Sequence, residues 1–184
     1  MRVFAAAAME LPPGLPEALA RSARLELGPA ARPVGPGGMH LTLAFLGEVP
    51  PGRVGAAGAC LDALSGSGTF TAVPGEAGFF PSPEKPRVFW LGFGAGAERL
   101  AEAAARLSAA LRGEGFVLEE RPFVPHLTLA RLKGSVPAAA AGKAAAAAVS
   151  LCRGMSFPVS GAVLFSSALS PDGPRYSQLK RVEF

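Results

Sequence analysis

Histidine, cysteine, tryptophan and tyrosine are all scarce in this chain. Its 184 residues hold two histidines, two cysteines, one tryptophan and one tyrosine. A zinc site is hard to build from so few ligands, since structural zinc takes four and catalytic zinc three. No metal and no cofactor are expected. Neither Cys60 nor Cys152 belongs to a CxxC pair or a Cys/His cluster. A disulfide is therefore unsupported, and a reducing cytoplasm fits best. No nucleophile-elbow motif surrounds any serine or cysteine, which argues against covalent catalysis of that kind. Charged residues are few at 17%, against 49% hydrophobic residues. That balance supports a core and excludes a disordered chain. No apolar run reaches the ~18 residues of a membrane span. The opening Arg2-Val3-Phe4 and its four alanines imitate a short secretory leader. They run into Glu10, Pro12 and Pro13 without a cleavage pattern, so a buried first strand is the better reading.

What is present is a weakly basic chain, with net charge +4 and pI about 9.6. Such a charge favours anionic partners such as RNA or phosphate esters without specifying one. The 23 glycines and 18 prolines are scattered between apolar runs, which predicts many turns within one domain-sized unit. The pattern predicts strands over 2–8, 39–46, 69–73, 87–92, 123–132, 155–165 and 175–183. Helices are expected over 16–27 and 97–112, with Leu100, Ala104, Leu107 and Leu111 on one stripe of the second. Pro50-Pro51 is placed to open a helix running to Leu64. Residues 74–86 read as a Gly/Pro loop, and 33–38 as a turn-rich approach. The alanine-rich 137–149 segment reads as helix by composition, with a loose surface loop as its rival.

The most informative feature is a repeat. Residues 40–46 read His-Leu-Thr-Leu-Ala-Phe-Leu, and residues 126–132 read His-Leu-Thr-Leu-Ala-Arg-Leu. Threonine occurs only at 42, 69, 71 and 128, yet one follows each histidine two residues on. Self-similarity at almost half the chain length predicts an α+β fold of two similar, bilobal halves over residues 1–184, one motif in each. Strand side chains alternate faces. His40 and Thr42 thus point one way, and Leu41 and Leu43 the other. If the halves are related by a pseudo-two-fold, both His-Thr pairs face one groove.

A lone histidine on an apolar strand is usually a packed core residue. Two in duplicate contexts point to chemistry. One imidazole can act as base while its twin acts as acid, and each threonine hydroxyl can donate to a phosphate oxygen. Displacement at phosphorus needs that pair of proton transfers and no metal.

At these residues the chain resembles the two-histidine phosphoesterases. Within them it resembles the bacterial and archaeal RNA 2′,3′-cyclic phosphodiesterases, historically called 2′-5′ RNA ligases. Met39 to Val49 is similar to the family's first motif, and Arg121 to Arg131 to its second. The resemblance extends to Arg2-Val3-Phe4, to Arg87 through Gly92, and to a tail from Phe165 through Gly173-Pro174-Arg175-Tyr176 to Leu179-Lys180. It implies two antiparallel-sheet lobes across a groove. It implies opening of a 2′,3′-cyclic phosphate to a 2′-phosphomonoester, on RNA ends such as tRNA fragments or on a nucleotide. His40 then becomes the acid and His126 the base, with Thr42 and Thr128 binding phosphate. Arg131 is placed near the substrate; five residues beyond His126 strict alternation turns it to the opposite face, unless a bulge or the strand's end swings it to the groove mouth. Phe4 either stacks on a base or packs the core, and Ala5 stands where relatives often carry a second aromatic. Tyr176 either contacts substrate or makes a structural hydrogen bond, and Trp90 reads as core. Reverse 2′-5′ ligation, a non-catalytic RNA-binding module and a phosphodiesterase of small nucleotides remain as alternatives. A monomer without membrane contact is expected.

Overall fold

The computed structural model describes residues 1–170 and 173–184. Its strands are β1 (Arg2–Met9), β2 (Ala31–Pro33), β3 (Thr42–Glu48), β4 (Phe70–Ala72), β5 (Pro74–Phe80), β6 (Val88–Phe93), β7 (His126–Leu132), β8 (Phe157–Ser170) and β9 (Gly173–Glu183). Its α-helices are α1 (Leu15–Leu27), α2 (Val54–Cys60), α3 (Ala97–Gly113) and α4 (Ala138–Leu151). Two antiparallel sheets form. One has five strands, with β3, β1, β8 and β4 in order and β9 also paired to β8. The other has four, in the order β2, β7, β6, β5. Each sheet carries one His-Thr motif, one running into β3 and one at the start of β7. The α+β architecture inferred from the repeat is what the chain adopts.

Helix periodicity explains how each sheet is backed. Leu100, Ala103, Ala104, Leu107 and Leu111 form the buried stripe of α3, which packs on β3 of the five-stranded sheet. Leu15, Leu19, Ala23 and Leu27 form the stripe of α1. That helix lies against β2, β7 and α4 on the four-stranded sheet. The alanine-rich segment is a helix, α4, not a loop. Its small buried residues Ala141, Ala144 and Ala148 let it approach α1 and β5 closely. The predicted helix from Pro50 to Leu64 is interrupted. It consists of α2 between 3-10 turns at Pro51–Arg53 and Leu61–Leu64.

At the sheet edges one expectation fails and one strand was not anticipated. Residues 74–80, read as loop, are strand β5, and Ala31–Pro33 form the short strand β2. Both are edge strands, where proline and glycine are tolerated because one side of the backbone needs no ladder partner. A third difference lies at the first motif. Met39, His40 and Leu41 precede β3, and only Leu41 makes a bridge, antiparallel to Leu127.

That bridge joins the two sheets. Leu41 and Leu127 are 0% and 1% exposed, and they belong to one continuous apolar cluster spanning both lobes. Cys60 and Cys152 are free and buried. Among the described residues, no helix is long and apolar enough to cross a membrane. We expect Leu127→Ala to lower stability by about 2–5 kcal/mol in urea unfolding, through loss of transfer energy and the cavity left behind. A double-mutant cycle with Leu41→Ala should show coupling of about 0.5–3 kcal/mol, since contacting residues are not additive. Strict additivity would mean that the seam is not a shared contact.

Candidate active site

The two motifs have the same pattern of burial. From His40 to Leu46 it reads half-buried, buried, half-buried, buried, buried, exposed, buried, and His126 to Leu132 repeats it residue for residue. Both departures from strict alternation have one cause. Opposite β3, Ala5 pairs with Ala44 and Ala6 with Thr42, leaving Leu43 as an extra residue. Opposite β7, Phe89 pairs with Ala130 and Trp90 with Thr128, leaving Leu129 extra. Each is a β-bulge. The bulge lets Leu43-Ala44 and Leu129-Ala130 both point into the core. Phe45 and Arg131 are thereby returned to the side of the histidines. One inserted residue thus carries Arg131 to the groove side, where strict alternation alone would not have put it.

The Leu41–Leu127 bridge sets the motifs against each other. In an antiparallel bridge, the residue before one partner lies across from the residue after the other. The backbone of His40 therefore faces Thr128, and that of Thr42 faces His126. The leucines are buried, so the His-Thr pairs project from the other side of the seam. Neither threonine hydroxyl makes a hydrogen bond among the described residues.

The histidine environments differ. The His126 ring places Nδ1 2.7 Å from the Val124 carbonyl oxygen. A carbonyl only accepts, so Nδ1 carries the proton and Nε2 keeps its lone pair. In the first repeat, the equivalent Gly38 carbonyl instead accepts the His40 backbone N–H at 3.1 Å. The His40 ring is held by aromatic faces. It stacks on Phe4 with centroids 4.6 Å apart and meets Tyr176 edge-on at 5.0 Å. Phe4 also stacks on Phe165 at 5.5 Å and is only 4% exposed. With its ring taken up by His40 and Phe165, Phe4 packs the site.

Burial lowers the pKa of both imidazoles. For His40 the value falls to about 4, chiefly by desolvation and then by the Arg131 guanidinium. For His126 desolvation also lowers it, and the bond to Val124 partly opposes that. Burial raises the Tyr176 phenol above its ordinary value, while Arg131 pulls it down. Arg131 thus acts on both His40 and Tyr176. A pocket of about 220 Å³ holds Arg131 together with Phe4, His40, Thr42, Phe45 and Tyr176. His126 and Thr128 stand outside its wall, across the seam.

Two residues that sequence reasoning left out of the site flank His126. Phe80 lies edge-on to its ring at 5.1 Å and stacks on Trp90 at 5.0 Å. Trp90 is 9% exposed, and its Nε1 has no hydrogen-bond partner. The indole lies flat across Gly78 and Gly92, where an added Cβ would come within 2.7 and 2.8 Å of the ring. The only advance signal was the run of aromatics and glycines on both sides of the 74–86 segment.

Among the described residues no cluster of three metal-ligating side chains occurs. The family model for LigT-like phosphoesterases matches residues 10–90 and again 94–176, once on each half of the repeat. The chain belongs to the LigT-like phosphoesterase family. This phosphoesterase is 35% identical to an RNA 2′,3′-cyclic phosphodiesterase of Aeropyrum pernix, over 78% of this chain and 81% of that protein. It is 35% identical to one of Thermus thermophilus, over 82% and 74%. A crystal structure of a protein from Thermus thermophilus superposes with TM-score 0.77 at 30% identity, covering 100% of this chain and 97% of that one. Apo LigT of Escherichia coli superposes with TM-score 0.74 at 29% identity, covering 99% and 96%. LigT has also been solved with 3′-AMP and with phosphate.

With only two histidines, each ring proton can be followed directly by NMR titration. We expect both to titrate below 6.5, His40 near 4. Arg131→Ala should raise His40 part of the way back and leave His126 unmoved. A His40 that titrates at or above 6.5 in the free protein would contradict its packing between Phe4 and Tyr176.

Proposed function

We propose that residues 1–184 work as one bilobal unit that hydrolyses a 2′,3′-cyclic phosphate at an RNA end to a 2′-phosphomonoester, without a metal ion. The observation that carries this reading is the Leu41–Leu127 bridge, which sets the two His-Thr pairs against each other on one side of the seam. The curated relatives named RNA 2′,3′-cyclic phosphodiesterase support the substrate class. Both motifs come from one chain, so a single copy suffices. Free buried thiols suit a reducing cytoplasm.

The roles follow from the ring environments. His126 presents an unprotonated Nε2, and we assign it as the general base that takes a proton from the attacking water. His40 is the general acid that gives its proton to the departing 3′ oxygen. Thr42 and Thr128 donate hydrogen bonds to the non-bridging oxygens, and Arg131 offsets charge developing on them. Phe4 and Tyr176 orient His40, and Tyr176 also reaches the pocket. His40 is largely neutral in the free protein because burial and Arg131 disfavour its cation. A bound phosphate brings a negative charge beside it, which favours protonation when it is needed. The same residues catalyse 2′-5′ ligation in reverse. Water is far more concentrated than a second RNA end, so hydrolysis dominates.

The test is incubation with EDTA on the four nucleoside 2′,3′-cyclic monophosphates and a short RNA with a cyclic end. The expected product is the 2′-phosphate. His40→Ala and His126→Ala are each expected to lose ~10²–10⁴ in rate while remaining folded. Full activity in either variant would remove the acid–base pair. Predominant ligation on tRNA halves with a cyclic end would reverse the ranking of the two directions. Tight RNA binding without turnover would leave a binding module. Turnover of small cyclic nucleotides alone would point to a nucleotide substrate.

The pH dependence has a definite sign. A base must be deprotonated, so kcat/KM rises as pH climbs through the His126 value, which burial holds below 6.5. An acid must be protonated, so kcat/KM falls as pH climbs through the His40 value of about 4. The kcat/KM maximum is therefore expected on the acid side of 6.5. The descending limb of kcat should lie at higher pH, because phosphate in the complex raises His40. A kcat/KM that stays flat from neutral to alkaline pH would exclude His40 as the acid.

A further inference from the structure

The groove face of the four-stranded sheet carries a second cation beside Arg131. Arg32 on β2 stands directly opposite Arg131 on β7 in the ladder. Residues opposite each other on antiparallel strands project to the same face. The next pair, Ala31 and Leu132, is buried in the core. Arg32 and Arg131 therefore both turn toward the groove, and both are exposed.

Like charges directly opposite on neighbouring strands are destabilising. Several other arginines here have an acidic or carbonyl partner. Arg2 approaches Glu48, Arg121 meets Glu119, Arg181 meets Glu183, and Arg24 donates to the Ala31 carbonyl. Among the described residues, neither Arg32 nor Arg131 has an acidic partner or a hydrogen bond. The fold thus holds two uncompensated guanidinium groups side by side, one of them in the wall of the pocket that contains His40 and Thr42. Anions bound at this pair offset the repulsion. Guanidinium groups suit phosphate in particular, through paired N–H donors.

We propose that Arg32 binds the phosphate on the 5′ side of the reacting nucleotide, so that the enzyme favours an RNA chain end over a bare cyclic nucleoside phosphate. This rests on the hydrolase reading above. Arg131 attends the reacting phosphate from the pocket. Arg32 lies one strand spacing, ~4.8 Å, farther out. β2 is the edge of its sheet, so a chain passing Arg32 runs on into solvent. A second phosphate on the same chain meets the second arginine there.

The experiment compares nucleoside 2′,3′-cyclic phosphates with and without a 5′-phosphate. The wild type is expected to favour the 5′-phosphorylated substrate by roughly tenfold in kcat/KM. Arg32→Ala should abolish that preference by losing activity on the phosphorylated substrate alone, and Arg32→Lys should keep part of it. On a short RNA with a cyclic end, the log–log salt dependence of binding should become shallower by about 0.7 in Arg32→Ala, as expected for one lost single-strand phosphate contact. A preference that survives in Arg32→Ala overturns the proposal. So do equal losses on both substrates in both variants. If the wild type turns over neither substrate, the hydrolase reading fails by itself. The arginine pair is then judged by calorimetry with nucleoside 2′-phosphates. Tightening by a 5′-phosphate that disappears in Arg32→Ala supports it, and no tightening overturns it.

Discussion

The site depends on one contact, the antiparallel bridge between Leu41 and Leu127. Each leucine follows its histidine by one residue, so alternation sends it to the opposite face from the histidine and the threonine. When the two leucines bury against each other, the polar residues beside them are set face to face. Burial of apolar surface is the dominant favourable term in folding, and here it also fixes the relative position of two catalytic candidates from different sheets. The pairing does not continue beyond this bridge. The pocket that holds His40, Thr42 and Arg131 opens beside it.

The connectivity makes this seam hard to undo. The chain leaves β1 in one sheet, packs α1 behind the other, and returns to β3 in the first. After β6 in the second sheet it packs α3 behind the first. Each lobe is thus backed by a helix whose preceding strand belongs to the other lobe. A single apolar cluster runs through both. The helix exchange and the shared cluster tie the groove geometry to the packing of both lobes.

Much of this was legible because duplication is visible without coordinates. Two HLTLA segments in a chain with only two histidines pointed to the candidate site, and period-two alternation predicted which side Leu41 and Leu127 would take. The misplaced parts have specific physical causes. Strict alternation alone would turn Arg131 away from the groove, and only a bulge reconciles it with the place the resemblance gives it; that bulge, at Leu129 and again at Leu43, is silent in sequence. Strand β5 was taken for loop because Pro74 and its glycines disfavour a central strand, whereas it lies at an edge. Gly78 is there for packing, since the Trp90 indole occupies the space a Cβ would need. With β5 unread, Phe80 could not be placed beside His126. Arg32 escaped for the same reason, because three residues of β2 make no periodic signal.

A duplicated motif should yield two equivalent histidines, yet the reaction needs them unequal. Two local differences break the symmetry. Before His126 the chain reads Val124-Pro125, and the Val124 carbonyl holds the ring through Nδ1. Before His40 it reads Gly38-Met39, and the equivalent carbonyl goes to the backbone N–H. One imidazole therefore has its tautomer fixed as an acceptor toward the groove, while the other is held by Phe4 and Tyr176, whose ring contacts impose no tautomer. The second difference is the single mismatch in the seven-residue repeat, Phe45 against Arg131. The bulge turns both to the groove, but only the arginine brings charge, and that charge falls on His40 of the opposite lobe. Burial first, and that cation second, hold the His40 pKa down to about 4. Under the roles proposed above, a phosphate bound in the groove is what would restore the charge that an acid needs.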